Sequence, residues 1–514
     1  MSLFSFFKRG ARLVKLGKAV HDWKRSDEGD AKDRARSYLI ELLGASRGAS
    51  AKVGQFLTMG AEDKSERSVL NNSIQPMALG EILDILEKSY GREYEELFAS
   101  LSEEGLPASL GQVHRGRLKD GREVAIKVQY PEIAQTVESE IDWMGWLPKA
   151  GPIAKWGFRL EGYRDAFWDN LSEELNYLKE AEQQQEYARL AQDVPGMVVP
   201  QVLMDLCRPR VLVQSYEEGF DIEQAEKMTG AQREAMGRLL LKHYFHMLFV
   251  CGFVHADPNP GNFAFRKLGN RGFALVLYDY GSILKIPLAE RLVLLRIILA
   301  LRHHEKLSPV ACLAELGFDS DKLRDLNPLL PALLSVLFEP FNVDGPYNVD
   351  DWKISPRFDQ IAGELKWWFR SAAPPQLIYL MRVLHGLTTH LWRLKVDLPW
   401  RYLLDQTCSS LYPAAMQLIL PENPSATDAR GFDGLSRYLK IDVEKPNGNK
   451  VKLIMPARVA DELEEVIDPP VLESIRRQKF DLEGIQERLR KSGFAPQEVF
   501  SLKDTERSVR VWLE

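Results

Sequence analysis

The chain has 514 residues, enough for two or three domains with substantial cores, and its 45% hydrophobic and 27% charged residues are those of an ordinary globular protein. A formal net charge of -6 argues against a general nucleic-acid binder, which would carry a basic face. The four cysteines (Cys207, Cys251, Cys312 and Cys408) lie far apart, with no C-x-x-C pair, so neither a disulfide framework nor a zinc site is expected. No apolar run approaches the roughly 18 residues of a membrane span, and Phe4-Ser5-Phe6-Phe7 is too short for a signal-peptide core. The expected address is the cytoplasm.

Residues 3–24 place Leu3, Phe6, Phe7, Leu13, Leu16 and Val20 among Lys8, Arg9, Arg12, Lys15 and Lys18. Such a basic amphipathic helix suits either an anionic membrane surface or packing against its own domain. After the polar break at 26–34, residues 35–60 read as helix, and residues 80–100 as a further helical pair. Between Leu106 and Tyr130 the period becomes two. Two alternating strands flank Lys119-Asp120-Gly121-Arg122, a hairpin turn, and the second carries Val124-Ala125-Ile126-Lys127. A lysine on so apolar a strand is costly unless an anion meets its ammonium. Nucleotide phosphates and a helix glutamate are the kinase solution.

Residues 132–192 read as helical throughout, with Glu173, Glu174, Glu180 and Glu182 as the carboxylates that could pair with Lys127. Two strands are expected on either side of Arg208-Pro209-Arg210. The second ends at Gln214-Ser215-Tyr216, where a kinase hinge would offer backbone groups to adenine. A helix over residues 233–252 leads into the stretch that organises the chain: His255-Ala256-Asp257-Pro258-Asn259-Pro260-Gly261-Asn262, an apolar strand from Phe273 to Tyr278, then Asp279-Tyr280-Gly281. An H-x-D-x(4)-N loop followed by D-x-G supplies one carboxylate for the acceptor, plus an amide and a second carboxylate for divalent metal. Beyond Gly281 the chain is helical to about Leu420. Residues 421–434 have linker composition, and residues 435–514 read as a small α/β unit with a hairpin around Pro446-Asn447-Gly448 and two closing strands.

Taken together, over roughly residues 30–400, these motifs resemble the UbiB (AarF/ADCK-type, ABC1-like) atypical kinase-like family, and the chain resembles a bacterial member with an extra C-terminal domain. The resemblance rests on Lys52-Val53-Gly54-Gln55 (K-x-G-Q), Pro107 to His114 (the alanine-rich nucleotide loop), the Lys127 strand, Glu174-Leu175-Asn176-Tyr177 with Glu180-Ala181 (E-x-D), and the two loops at 255–262 and 279–281. It implies an α+β, protein-kinase-like bilobal fold: a helical extension at 1–79 with the K-x-G-Q motif, a lobe at 80–216, a largely helical lobe at 217–420, the 421–434 linker, and an accessory domain at 435–514. It also implies ATP and Mg²⁺ as cofactors, with Ala108, Ser109, Lys127, Gln214, Tyr216, Lys52 and Gln55 around the nucleotide. Asn262 and Asp279 would hold the metal. Asp257 would act as base or water-orienting group, with His255 bracing its loop and Glu174 paired with Lys127.

Three departures stand out. Leu106-Pro107 replace alanines, Asn176 replaces the Asp of E-x-D, and Asn259 replaces the second His of H-A-D-P-H-P-G-N. In the family, the extension carrying Lys52 and Gln55 lies across the site where a protein substrate would bind. The implied activity is therefore slow ATP hydrolysis, or phosphorylation of a small molecule or lipid, in ubiquinone or other isoprenoid-lipid metabolism. The partners implied are ATP, an isoprenoid lipid or quinone-pathway proteins, peripheral contact with the inner face of a membrane, and a protein docked on the C-terminal domain. A nucleotide-sensing pseudokinase scaffold is the alternative, and Asp257→Asn separates the two. An ordinary protein kinase is disfavoured, because the chain lacks G-x-G-x-x-G and A-P-E segments.

Overall fold

The computed structural model describes residues 77–108, 110–131, 133, 171–269, 272–363, 365–420, 436, 438–444, 450–462, 481–491, 496–503 and 508–514. The basic helix expected at 3–24 and the Lys52–Gln55 motif lie outside these residues. So do Ser109 and the 421–434 linker. The described residues form two compact units.

The first unit holds the described residues from 77 to 133, 171–221 and 255–283. Helix α1 (Leu79–Tyr90) is followed by strand β1 (Phe98–Leu101), so the expected helical pair is half strand. Strands β2 (Leu106–Pro107), β3 (Gly111–Leu118) and β4 (Glu123–Gln129) come next. The β3–β4 turn is as its sequence dictates. Gly121 has φ +89°, which costs a glycine little, and the Asp120 carboxylate accepts the Arg122 N–H at 3.0 Å. Helix α2 (Tyr177–Leu190) is separate from the helical turn at 171–174, so the region is not one continuous helix. The break has a chemical cause: Asn176 is extended, and its side chain accepts the Leu178 N–H, capping α2.

Strands β5 (Met197–Val198), β6 (Val211–Ser215), β7 (Phe253–His255), β8 (Phe263–Leu268), β9 (Gly272–Leu277) and β10 (Ile283–Lys285) follow. The main sheet runs β1-β3-β4-β6, with β2 folded back on β3. The first of the two strands expected around Arg208-Pro209-Arg210 is shorter than its sequence promised. Only Met197–Val198 is strand, and it pairs in parallel with β9, itself antiparallel to β8. On β4, Val124, Ile126 and Val128 are fully buried on one face, against Ile82 and Leu86 of α1 and Val211 and Val213 of β6. Strict alternation then sends Lys127 to the other face. Burying that apolar face, at about 25 cal/mol per Å², fixes where the ammonium points.

The second unit holds 222–254 and the described residues from 284 to 514. Helices α3 (Ile222–Glu226) and α4 (Gly230–Phe245) come first, the latter started by a Thr229–Gln232 capping box. A π-turn at His246–Cys251 ends at Gly252 with φ +67°. Two of its carbonyls, those of Phe249 and Val250, accept from Arg291 Nη1 at 2.9 and 2.6 Å. Helix α5 (Leu288–His303) opens a helical run reaching α13 (Tyr412–Met416). Strands β11 (Tyr438–Glu444) and β12 (Lys450–Pro456), helix α14 (Leu482–Lys491), and strands β13 (Gln497–Lys503) and β14 (Ser508–Leu513) complete the chain. Their sheet has the order β12-β11-β14-β13. No described helix is long and apolar enough to cross a membrane.

Candidate active site

The site lies within the first unit and begins at Lys127. The residue is 9% exposed, and its Nζ donates to Glu180 Oε1 and Oε2 at 2.8 and 3.0 Å and to Asp279 Oδ2 at 2.9 Å. Burial alone would lower this lysine. The Asp279 and Glu180 carboxylates together outweigh it and hold the ammonium well above the ordinary lysine range. Burial pushes the Glu180 carboxyl up to about 7, although the adjacent ammonium pulls it down.

Glu180, not Glu174, is therefore the partner of Lys127. The reason is where α2 starts. Glu174 precedes the Asn176 cap and lies outside the helix, whereas Glu180 sits in its first turn on the buried face. Tyr177, Glu180, Gln184 and Tyr187 recur at helical spacing and are all buried. That stripe, tyrosine to tyrosine through two polar residues, was the available sequence signal for the pairing. Glu174 is itself buried and lines the same cleft as Lys127, Tyr177, Glu180, Asp279, Gly281 and Leu110. A Cβ on Gly281 would come within 3.2 Å of Glu174 Cγ and 3.3 Å of Asp279 Oδ1. Glycine there lets the carboxylates crowd together.

Helix α2 also holds the 279–281 loop. Glu180 Oε1 accepts the Tyr280 N–H at 3.3 Å, and the Tyr187 ring meets the Tyr280 ring edge-on at 5.1 Å. The Gly281 N–H donates to Asp279 Oδ1 at 3.0 Å. From the other side, His255 Nε2–H donates to the Asp279 carbonyl, and the His255 and Tyr280 rings stack edge-on at 6.1 Å. His255 thus braces the 279–281 loop. The Tyr278 N–H donates to the Asn262 carbonyl at 2.9 Å, which ties the two loops one residue before Asp279.

Asn262 Nδ2 donates to the Asp257 carbonyl at 3.2 Å. An acceptor on the nitrogen end fixes which end of the amide is the oxygen. The Asn259 side chain accepts the Gly261 N–H at 3.1 Å, so this departure from histidine caps the turn that delivers Asn262. Asp257 is 6% exposed.

The backbone donors at two of the expected nucleotide-contact positions have partners within the protein. The Ala108 N–H donates to the Gly111 carbonyl at 2.8 Å, closing the β2–β3 turn. The Tyr216 N–H donates to the Glu123 carbonyl at 3.1 Å, and the Ser215 N–H to the Gln201 carbonyl at 2.8 Å. Gln214 is buried, with its Oε1 accepting from Gln184 Nε2 at 2.6 Å and its own Nε2 reaching the Tyr278 carbonyl at 3.4 Å. It links β6, α2 and the residue before Asp279.

A magnesium–nucleotide fits these residues. Three carboxylates (Glu174, Glu180 and Asp279) line a cleft with one ammonium, and a divalent cation would neutralise the excess. Among the described residues no three His, Cys, Asp or Glu side chains form a metal cage. Mg²⁺ is ordinarily held by one or two protein oxygens plus phosphates and water, which Asp279 and Asn262 can provide.

The ABC1 atypical kinase-like domain matches residues 69–310. Residues 69–310 are an ABC1 atypical kinase-like domain. The chain is 34% identical over 257 residues to mouse AarF domain-containing protein kinase 1, covering 48% of this chain and 49% of that protein. It is 27% identical over 397 residues to rat mitochondrial atypical kinase COQ8B, covering 74% of each. The chain thus spans about half the length of the first relative and three quarters of the second. Among solved structures, that of the Rv3197–erythromycin complex from Mycobacterium tuberculosis aligns with a TM-score of 0.49 at 25% identity, covering 73% of this chain and 96% of that one. In this ABC1 domain the lysine, the α2 glutamate and the aspartate of the second loop are drawn into one hydrogen-bonded cluster.

Proposed function

We propose that this ABC1 domain binds magnesium–ATP and transfers its terminal phosphoryl group to a small-molecule or lipid hydroxyl, or to water. The observation that carries the reading is the buried Lys127 held between Glu180 and Asp279. When bound, magnesium–ATP supplies the phosphoryl group and the charge neutralisation its transfer requires. Lys127, fixed by Glu180, meets phosphate oxygens as a pre-oriented cation. Asn262 Oδ1 and the Asp279 carboxylate hold the metal. Asp257 orients the acceptor and accepts its proton. His255 keeps Asp279 in register through the main-chain carbonyl. Glu174, which lines the same cleft, would add to the negative charge that attracts the metal.

Lys52 and Gln55 are proposed to cover this site against protein substrates, and the acceptor to belong to quinone or isoprenoid-lipid metabolism. That reading draws on the family resemblance and on the COQ8B name of one relative. Peripheral attachment through residues 3–24, and a protein partner on the 435–514 unit, complete the proposal. The test is phosphate release from Mg²⁺–ATP by the full chain, with and without anionic liposomes, beside Asp257→Asn and Lys52→Ala. Slow release that rises with liposomes and is lost in Asp257→Asn supports the reading. Nucleotide binding without release under any condition replaces it with a scaffold.

A further inference from the structure

Tyr177 opens α2, and its side chain is completely buried. Its ring packs with Ala181, Val202, Cys207 and Leu212. Lys127 Nζ lies 5.0 Å from the ring centroid, a cation–π distance. The hydroxyl has no hydrogen-bond partner among the described residues. A buried hydroxyl left unpaired is destabilising, and each such group in a folded protein calls for an explanation, a bound water, ion or ligand among them.

Its position supplies one. Tyr177 lines the cleft shared by Lys127, Glu180 and Asp279. Its oxygen also lies against Gly111, at the end of the β2–β3 turn, where a Cβ would stand 2.6 Å from it. The hydroxyl therefore lies beside Gly111, on a residue that lines the same cleft as the ammonium. A phenylalanine would fill the same space and give the same packing to Ala181 and Leu212. The hydroxyl is what distinguishes the two, and none of the described residues uses it.

We infer that Tyr177 is a positioning residue for the nucleotide: its hydroxyl donates to the phosphate oxygen that Lys127 attracts. The inference rests on the ATP-binding reading above. Phosphate then receives one ionic and one neutral donor from a strand and a helix that are already fixed to each other through Glu180.

The experiment is Tyr177→Phe in the full chain, read in two ways. The first is equilibrium affinity for adenosine, ADP and ATP with Mg²⁺, measured by calorimetry. The second is the thermal midpoint without nucleotide. Loss of a hydrogen bond to a charged phosphate should weaken ADP and ATP roughly tenfold or more while leaving adenosine unchanged. The midpoint should be unchanged or higher, because an unsatisfied hydroxyl has been removed. Equal loss for adenosine and ATP, unchanged ATP affinity, or a lowered midpoint would overturn the inference. Wild-type protein that binds no nucleotide would overturn the ATP reading and this inference with it, whereas binding that Lys127→Met abolishes and Tyr177→Phe spares sinks the inference alone.

Discussion

Lys127→Met removes the ammonium but keeps a side chain of similar length and apolar stem. It leaves Glu180, with 1% of its side chain exposed, and Asp279, with 21%, facing one site with no cation between them. Removing one partner of a buried ion pair costs about 3–5 kcal/mol. The partial exposure of Asp279 puts the expectation near the lower end, about 3 kcal/mol. A proton can relieve part of this. Burial already raises Glu180 to about 7 in the wild type, and losing the ammonium that opposes that rise must raise it further. A carboxyl raised in the folded state binds a proton that the unfolded chain has released, so stability falls as pH rises through the folded value. In the wild type that fall ends near pH 7, and in the variant it continues above. The two proteins should therefore differ least near pH 6 and diverge above pH 7, by at most about 1.4 kcal/mol per pH unit. The ammonium of the wild type stays charged across this range, since its own value is raised. Urea unfolding followed by tryptophan fluorescence at pH 6 and pH 9 measures the difference. A loss below about 1 kcal/mol at both values would refute the reasoning. An equal loss at pH 6 and pH 9 would show that Glu180 is not the group left exposed to the missing charge.

Asn176→Ala should lower stability by about 1 kcal/mol through loss of the α2 cap, while Asn176→Asp, also a good cap, should match the wild type; thermal unfolding of the three proteins reads this directly. Gly111→Ala would place a Cβ 2.4 Å from the Val128 carbonyl oxygen and 2.6 Å from Tyr177 Oη. Because one of these is backbone, relief requires β3 and β4 to part, and a loss of about 2–3 kcal/mol is expected in the urea midpoint. Gly121→Ala, at a positive φ with open space around it, should cost only about 1 kcal/mol by the same measurement.

The elements were legible in the sequence where periodicity and turn chemistry agreed. The Lys119–Arg122 hairpin appeared because Asp120 and Gly121 specify the turn and the flanking strands alternate. The two loops carrying Asp257, Asn262 and Asp279 were legible because their spacing is fixed by the chemistry they serve, with β8 and β9 between them. Less of α2 could be read. The run from 171 to 192 is helix-forming throughout, and it is broken by the side-chain hydrogen bond of Asn176 and by the Pro209 carbonyl, which takes the Tyr177 N–H. That break decides which glutamate reaches Lys127, so an error of one helix start became an error of partner. Phe98–Leu101 paired with β3 although Glu95-Glu96-Leu97 before it reads as helix, an override by the sheet edge that the local sequence does not show. The fate of single backbone donors, such as those of Ala108 and Tyr216, depends on which strand lies opposite. No linear pattern carries that information.

The most direct measurement of the central claim is the Mg²⁺ dependence of ATP binding by the full chain, taken beside Asp279→Asn. If Asp279 and Asn262 hold the metal that joins nucleotide to protein, wild-type affinity should rise with Mg²⁺, and Asp279→Asn should abolish that rise while still folding. Affinity that is independent of Mg²⁺ in both proteins, or a response that Asp279→Asn retains in full, would contradict it.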